Sequence, residues 1–382
     1  MQPFDVYPLY ELEIVRGRGS WVYDASGRRY LDFYGGHAVI SVGHSHPHYV
    51  ERVGAQLGRL GFYSNSVQNP LLEELAERLG EQSGCADYRL FMVNSGGEAV
   101  DNALKIAAFH NGRSKVLALG KAFHGRTAAA MNVTDKEDIQ CAVTRGFERV
   151  FLPLNDLAAA ERELARGGVG AVIVEGIQGI GGVRICTPEY LRGLQALCRQ
   201  YDALLILDEI QTGFGRTGRF FYFQHAGIEP DLITVAKGMG NGFPVGGVLV
   251  HPRIRGWHGM LGTTFGGNHL ACSAVLAVLE ILEEEQLVEN ARTLGAYLQE
   301  RLIELAPDAE VRGQGLMIGL EFPFPVRELR KRLLFRHGVF VGSSYNPNVL
   351  RLLPPLNIGR EEADFFLEKF ALALSENPQP VE

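Results

Sequence analysis

A lysine and an acidic pair stand at the ends of two apolar runs. Lys237 closes Asp231-Leu232-Ile233-Thr234-Val235-Ala236, and Asp208-Glu209 closes Ala203-Leu204-Leu205-Ile206-Leu207. Both runs are too short for helices and predict buried parallel strands. Open parallel sheets bind ligands at the carboxyl ends of their strands, so an amine and a carboxylate would arrive together at one edge. An amine there can form a Schiff base with a carbonyl, and a carboxylate can keep a ring nitrogen protonated. Pyridoxal phosphate needs both. Taken alone, Asp208 reads more readily as a helix N-cap or a surface acid, and Lys237 equally as a solvated strand end or a phosphate clamp.

Three further segments carry polar chemistry. Asn94-Ser95-Gly96-Gly97-Glu98-Ala99 lies between the strand Phe91-Met92-Val93 and a predicted helix over 98–110. Gly96 and Gly97 at a helix start let backbone N–H groups close on a phosphate, with the helix dipole adding to the attraction; an ordinary tight turn is the other reading. In Phe123-His124-Gly125-Arg126-Thr127 the aromatic ring can stack on a planar cofactor and the guanidinium can clamp a carboxylate. A core Phe and a surface Arg explain that segment equally well. Thr263-Thr264-Phe265-Gly266-Gly267-Asn268 offers hydroxyls that suit phosphate oxygens or a helix cap, with Thr263 also a candidate substrate contact. No GxGxxG fingerprint and no Walker A loop is present, which disfavours a dinucleotide or P-loop enzyme. His44-x-His46-x-His48 has the look of a metal tract, but Pro47 breaks its geometry and no second cluster supplies further ligands, so no metal is expected.

The elements that position these residues follow from periodicity. Trp21-Val22-Tyr23 and Arg29–Phe33 flank the turn Asp24–Gly27 as a small meander. Helices are predicted from Pro47 and from Pro70. Strands are predicted over Arg89–Val93, Lys115–Leu119, Glu148–Leu152, Ala171–Val174, Ala203–Leu207, Leu232–Ala236 and Gly246–Val250, with helices between them. That alternation gives an α/β layer sandwich around a mainly parallel, seven-stranded sheet. A long helical pattern covers 268–305, with Glu283-Glu284-Glu285 as a solvated face or a helix end, and Glu73-Glu74 as another solvated face. Strands near Leu316–Glu321 and Val349–Leu352 and a last helix from Glu361 suggest a smaller α+β domain.

A chain of 382 residues is too long for one simple core. The expected division is residues 1–45 as an N-terminal segment joining the small domain, 46–275 as the large cofactor-binding domain, and 276–382 as the C-terminal small domain. The formal charge of −7 without a long basic block argues against nucleic acid. No apolar run approaches a membrane span, and Met1-Gln2-Pro3-Phe4-Asp5 has no signal-peptide pattern, so no membrane association is expected. Five scattered cysteines without a Cys-x-x-Cys pair fit a reducing cytoplasm.

In order along nearly the whole chain, the segments resemble the class III, fold type I, pyridoxal-phosphate aminotransferases, above all the acetylornithine and ornithine enzymes. The resemblance rests on Arg16-Gly17-Arg18-Gly19, Gly43-His44-Ser45-His46-Pro47, Asn94-Ser95-Gly96 and Phe123-His124-Gly125-Arg126-Thr127. It continues through Asp208–Gly218, Ala236-Lys237-Gly238, Thr264-Phe265-Gly266-Gly267-Asn268 and Arg351-Leu352-Leu353-Pro354-Pro355-Leu356. It implies that Lys237 is the Schiff-base lysine and proton shuttle and that Asp208 pairs with the pyridine nitrogen. Phe123 and Ile210 would cover the two ring faces, Gln211 would approach the ring hydroxyl, and Gly96 and Gly97 would bind phosphate. Thr264 would reach the phosphate of a neighbouring subunit's cofactor, which implies a homodimer with shared sites. Arg126 would bind a substrate carboxylate, Arg351 the α-carboxylate of glutamate or 2-oxoglutarate, and Tyr7 lies near an N-terminal substrate tyrosine.

The implied reaction moves the δ-amino group of N2-acetyl-L-ornithine to 2-oxoglutarate, giving N-acetyl-L-glutamate 5-semialdehyde and glutamate, as in arginine biosynthesis. Succinylornithine, ornithine and other ω-amine donors are the alternatives, followed by an aminomutase and a non-catalytic binding protein on the same fold. Three positions depart from the pattern. Gly97 replaces a Thr, Ser or Ala, and His37 replaces an aliphatic residue near the substrate entrance. In Glu175-Gly176-Ile177-Gln178-Gly179-Ile180-Gly181-Gly182, Ile180 replaces the acid that commonly pairs with the glutamate-binding arginine. Arg351 would then stay unneutralised, which disfavours free ornithine and favours an acylated, even an anionic, acyl donor.

Overall fold

A computed structural model describes residues 1–376. The chain opens with an irregular, largely exposed segment and then forms β1 (Ile14–Arg18), β2 (Trp21–Asp24) and β3 (Arg29–Phe33), an antiparallel meander. The turn after β2 is held by the Asp24 carboxylate, which accepts from the backbone N–H groups of Ser26 and Arg28.

All seven strands expected for the central sheet form: β4 (Arg89–Val93), β5 (Lys115–Leu119), β6 (Arg149–Leu152) and β7 (Val169–Glu175) come first. A two-residue hairpin, β8 (Ile177–Gln178) and β9 (Arg184–Ile185), follows, and then β10 (Leu204–Asp208), β11 (Leu232–Ala236) and β12 (Gly246–Val250). The sheet order is β4-β12-β11-β10-β7-β5-β6. The run β11-β10-β7-β5-β6 is parallel, and β12 is antiparallel to both of its neighbours. Strands β7, β10 and β11 are buried along their whole length, which is why they read as continuous apolar runs rather than alternating ones. β10 and β11 lie side by side, so Asp208 and Lys237 reach the same sheet edge.

The pattern over 268–305 is not one helix. It divides into His269–Glu284 and Leu287–Leu305, with Gln286 at φ +52° between them. Three consecutive glutamates crowd the negative end of the first helix dipole, which favours stopping there. Beyond the second helix lie β13 (Glu310–Gln314), β14 (Met317–Glu321), β15 (Val339–Val341) and β16 (Val349–Leu352). β13, β14 and β16 form an antiparallel sheet, while β15 runs parallel to β3 and so adds the C-terminal part to the N-terminal meander. A final helix spans Arg360–Ser375. Among the described residues, no helix is long and apolar enough to cross a membrane.

One seam fixes the three-stranded sheet against the segment that follows β10. The Leu316 N–H donates to the Arg216 carbonyl at 2.9 Å. The buried Arg216 guanidinium donates to the carbonyls of Leu316 and Pro354. Gly315, at φ +56°, packs on Thr217, and a Cβ placed on Gly295 would lie 2.1 Å from the Gly315 carbonyl oxygen. Backbone on both sides of that contact leaves no flexible atom to yield. Gly295→Ala is therefore expected to lower the thermal midpoint, with an overpacking cost of about 1–3 kcal/mol. An unchanged melting curve would show that the seam is compliant.

Candidate active site

The carboxyl ends of β7, β10 and β11 and the start of the helix Gly96–Asn111 enclose a cavity of about 390 Å³. Lys237, Asp208, Phe123, Arg126, Ile210 and Gln211 line it, and so do Gly96 and Gly97. Residues from four separate stretches of the sequence therefore meet in one place.

Lys237 follows the last residue of β11 with φ +50°, a conformation that a side-chain-bearing residue adopts only when its surroundings impose it. Its carbonyl accepts from the Gly240 N–H at 2.9 Å, closing a tight turn. Burial disfavours the ammonium and brings its pKa from 10.5 to about 8; the charges of Asp208 and Glu175 oppose that shift, and Arg351 adds to it. The amine is thus poised between nucleophile and acid near neutral pH.

Asp208 ends β10, only 4% exposed. One carboxylate oxygen accepts from the Ile210 N–H at 3.1 Å, and the other lies 2.6 Å from His124 Nδ1. Desolvation alone would push protons off His124, but the hydrogen bond and charge of Asp208, with Glu175 beyond, win and raise its pKa. The opposite ring nitrogen, Nε2, is buried without a hydrogen-bond partner. Glu175, the register partner of Asp208 on β7, accepts from the N–H groups of Phe123 at 2.9 Å and Gly179 at 3.1 Å. Burial lifts Glu175 to about 7, with His124 opposing and Asp208 reinforcing the shift.

The sequence alone assigns no role to His124, inside the segment Phe123–Thr127, or to Glu175, just beyond the predicted strand Ala171–Val174. An acid at the end of an all-apolar strand is the signal that could have found Glu175, as it found Asp208.

The remaining wall is backbone and apolar surface. Ser95 caps the helix through its hydroxyl, which accepts from the Glu98 N–H at 3.3 Å. A Cβ on Gly96 would approach Ile210 Cδ1 to 2.9 Å, and one on Gly97 would approach Thr127 to 3.0 Å. Bare backbone at a helix start, opening on a cavity, is the arrangement that receives a phosphate. The donor set suits pyridoxal phosphate: an amine of lowered pKa, a buried carboxylate, a phosphate-sized helix start, and the apolar surfaces of Phe123 and Ile210.

Arg351, on β16, is 1% exposed and abuts the cavity through Gln211, whose Oε1 accepts from Nη1 at 3.3 Å. Its Nε donates to the Ser343 carbonyl at 2.5 Å. Both acceptors are neutral. Burial lowers the guanidinium pKa to about 10, and Tyr34 and Glu175 act on it only through their charges. Ile180 lines the cavity, and the only carboxylates in that lining are Asp208 and Glu175. Among the described residues, no acid pairs directly with Arg351.

Three expected residues stand elsewhere. Tyr7 is 74% exposed in the irregular segment before β1, where no strand pairing draws it inward. Thr263 uses its hydroxyl to accept from the Gly266 N–H at 3.1 Å, so it serves the turn rather than the cavity. Thr264 is exposed in a separate groove beside Phe62, Asn65 and His269. Within one copy of the chain, none of the three lines the cavity. The histidine tract is also resolved: His44, His46 and His48 pair with Asp32, Glu285 and Glu280, three separate acids.

The sequence pattern of the aminotransferase class-III family matches residues 5–374. An acetylornithine aminotransferase of Bacillus subtilis (strain 168) is 40% identical over 380 residues, 97% of each chain. One from Archaeoglobus fulgidus is 41% identical over 372 residues, 95% of each chain. A solved ornithine aminotransferase from Toxoplasma gondii, with pyridoxal phosphate at partial occupancy in its active site, matches with a TM-score of 0.89 at 30% identity, over 97% of this chain and 92% of that one. By sequence and by fold, this chain belongs to the class-III aminotransferases, enzymes that depend on pyridoxal phosphate.

Proposed function

We propose that the enzyme transfers the δ-amino group of N2-acetyl-L-ornithine to 2-oxoglutarate, giving N-acetyl-L-glutamate 5-semialdehyde and L-glutamate, a step of arginine biosynthesis in the cytoplasm. The observation that carries this reading is one cavity that holds Lys237 and Asp208 and has Arg126 and Arg351 at hand, in a chain about 40% identical to acetylornithine aminotransferases.

When bound, the cofactor supplies an electron sink that makes the C–H bond beside the substrate nitrogen acidic. The residues divide the remaining work. Lys237 would hold the cofactor through its carbonyl and is placed to carry a proton to and from the substrate carbon. Asp208, braced by His124, would keep the ring nitrogen protonated. Phe123 and Ile210 would pack the ring, Gln211 would lie toward its hydroxyl, and the N–H groups of Gly96 and Gly97 would hold the phosphate. Arg126, exposed at the cavity wall, takes the far carboxylate of each substrate, and Arg351 the α-carboxylate of the oxo acid and of glutamate. With no acid against Arg351, a free ornithine would bring a second ammonium toward an unneutralised cation, so acylation of that nitrogen removes a repulsion.

The working unit is a homodimer. Exposed Phe62, Tyr63 and Phe265 flank Thr264, and the N-terminal segment exposes Phe4, Tyr7 and Leu9. A second copy packed there would cover this apolar surface and bring Thr264 to the other copy's cofactor phosphate.

Assay of acetylornithine, ornithine, 4-aminobutyrate and acyl-lysine donors against 2-oxoglutarate tests the reading, and turnover without any oxo acid would point to an aminomutase instead. Arg351→Lys keeps the charge but loses the planar two-point grip; kcat/KM for 2-oxoglutarate should fall about 100-fold, the cost of roughly 3 kcal/mol at a buried charge pair. A near-normal value would remove Arg351 from acceptor binding.

Lys237 gives a pH test. Because burial lowers its pKa from 10.5 to about 8, the reactive free amine should accumulate between about pH 7 and pH 9, well below the range of an ordinary lysine. The rate at which the cofactor-free chain takes up pyridoxal phosphate, trapped with borohydride, should rise through that window and level off above it. Lys237→Ala should trap none, and a midpoint near that of a solvated lysine would contradict the assigned burial.

A further inference from the structure

Arg351 is aimed by two neutral acceptors that belong to different segments. Gln211 lies in the segment that follows β10, and the Ser343 carbonyl lies in the loop before β16. Two such contacts hold a guanidinium in one direction only while the segments keep their spacing. That spacing is kept by side chains outside the cavity, centred on Arg312 in β13.

The loop of the β8–β9 hairpin, residues 179–183, runs between the two segments. At its inner end the Gly179 N–H donates to Glu175 at 3.1 Å. A Cβ on Gly179 would lie 1.7 Å from Gln211 Oε1, the atom that accepts from Arg351, so bare backbone backs that amide. In the middle, the Ile180 carbonyl accepts from the Tyr345 N–H at 2.9 Å, close in sequence to Ser343. At the outer end the Gly182 carbonyl accepts from Nε and Nη2 of Arg312, at 3.0 and 2.8 Å. Val183 beside it is left-handed at φ +56°, which a β-branched residue adopts only under constraint. Gly319 in β14 supplies that constraint: a Cβ there would come within 2.8 Å of the Val183 Cβ.

Arg312 joins this hairpin to the Ser343 loop. Its Nη2 also donates to Glu321 Oε2 at 2.6 Å, and Glu321 Oε1 accepts from the Asn346 amide at 2.6 Å. Asn346 shapes the loop in turn. Its Oδ1 accepts from the Asn348 N–H at 3.0 Å, its N–H donates to the Ser344 hydroxyl at 3.0 Å, and its carbonyl accepts from that hydroxyl at 2.8 Å. Burial alone would raise the Glu321 pKa, but the hydrogen bond and charge of Arg312, then the Asn346 amide, hold it below the ordinary carboxylate range. The planar fork of an arginine can serve a carbonyl and a carboxylate at once. None of Arg312, Glu321 and Asn346 lines the cavity.

We propose that Arg312 is a positioning residue for the oxo acid: by tying the hairpin to the loop through Glu321 and Asn346, it holds Gln211 and Ser343 at the spacing that aims Arg351. This deepens the assignment of Arg351 to acceptor binding and rests on it.

In the proposed reaction Arg351 serves the oxo acid and glutamate but not the acylated donor, so the two half-reactions separate the effects. The holoenzyme is compared with Arg312→Met and Asn346→Asp. Met keeps the stem without its donors. Asp keeps the acceptor for the Asn348 N–H but sets a carboxylate against Glu321. Each half-reaction is followed in single turnover, with acetylornithine or with 2-oxoglutarate. Each variant should raise the 2-oxoglutarate concentration for half-maximal rate about 10-fold, the loss expected when a guanidinium is misaimed by a fraction of an ångström. The maximal rate and the acetylornithine half-reaction should stay unchanged. In an Arg351→Lys background, Arg312→Met should add little, because the residue it aims is gone. A loss shared equally by both half-reactions, or an effect that persists in full in the Arg351→Lys background, overturns the positioning role. So does unchanged 2-oxoglutarate binding in both variants beside weakened binding in Arg351→Lys. Normal 2-oxoglutarate binding in Arg351→Lys itself would sink the acceptor reading, and this inference with it.

Discussion

The site depends on keeping one amine dry beside a carboxylate. Lys237 is buried next to Asp208 and Glu175, and water is what normally keeps an ammonium charged. Lowering its pKa from 10.5 to about 8 means that the site destabilises the charged form by roughly 3 kcal/mol relative to water. An unbraced Asp208 would undo this by capturing the ammonium as an ion pair. His124 occupies one of its oxygens and the Ile210 N–H the other. Glu175 is held in turn by two backbone donors, so both acids near the lysine have other obligations. The buried parallel strands β7, β10 and β11 make this possible, because the main-chain ladder fixes the three strand ends in register without help from the side chains that end them.

The second constraint belongs to the proposed reaction, in which one cavity would serve two different substrates. Its acceptor would bring two carboxylates, and an acylated ornithine at least one. Arg351 would face this alternation from the other sheet, where the Gln211 amide and the Ser343 carbonyl hold it. Neutral acceptors fix its direction without cancelling its charge, so no partner would have to be displaced for an oxo acid to reach it. A gating acid at position 180 would make the same arginine switch between two salt bridges. Ile180 offers no such switch, and under the proposed reaction discrimination between donors would come from repulsion of a second ammonium.

Much of this was legible because strand ends are legible. Apolar runs closed by Asp208 and Lys237 located the sheet edge, and two glycines before a helix located the backbone turn that opens on the cavity. The same logic did not extend to Tyr7 and Thr264, which are exposed in this chain and lie outside the lining of the cavity. The break at Gln286 was hidden by apolar periodicity that resumes in phase on the far side. Glu280, in the middle of that helix, looks like a surface acid in sequence; in the fold it is the buried acceptor for His48, Arg52 and Arg78. Its partners come from two other helices, and nothing local announces them.

The histidine tract shows how a motif can point to the wrong chemistry and still matter. Each of its imidazoles binds a separate acid, and His44 binds the one that holds the left-handed turn. Left-handed backbone at His37 and Ala38 costs on the order of 1–2 kcal/mol per residue, and it persists only because Asp32 is itself held in place. Asp32 is 5% exposed, and His44 at 2.8 Å satisfies the oxygen that the turn leaves free. His44 is fixed by a backbone pairing with Gly19 and by contact with Gly17, where a Cβ would come within 2.7 Å of its side chain. A chain of contacts therefore runs from the glycines of the meander, through His44 and Asp32, to the backbone N–H groups of Tyr34 and Gly35. The strained turn is supported by a histidine whose spacing suggested a metal, and a side chain at Gly17 would press directly on that histidine.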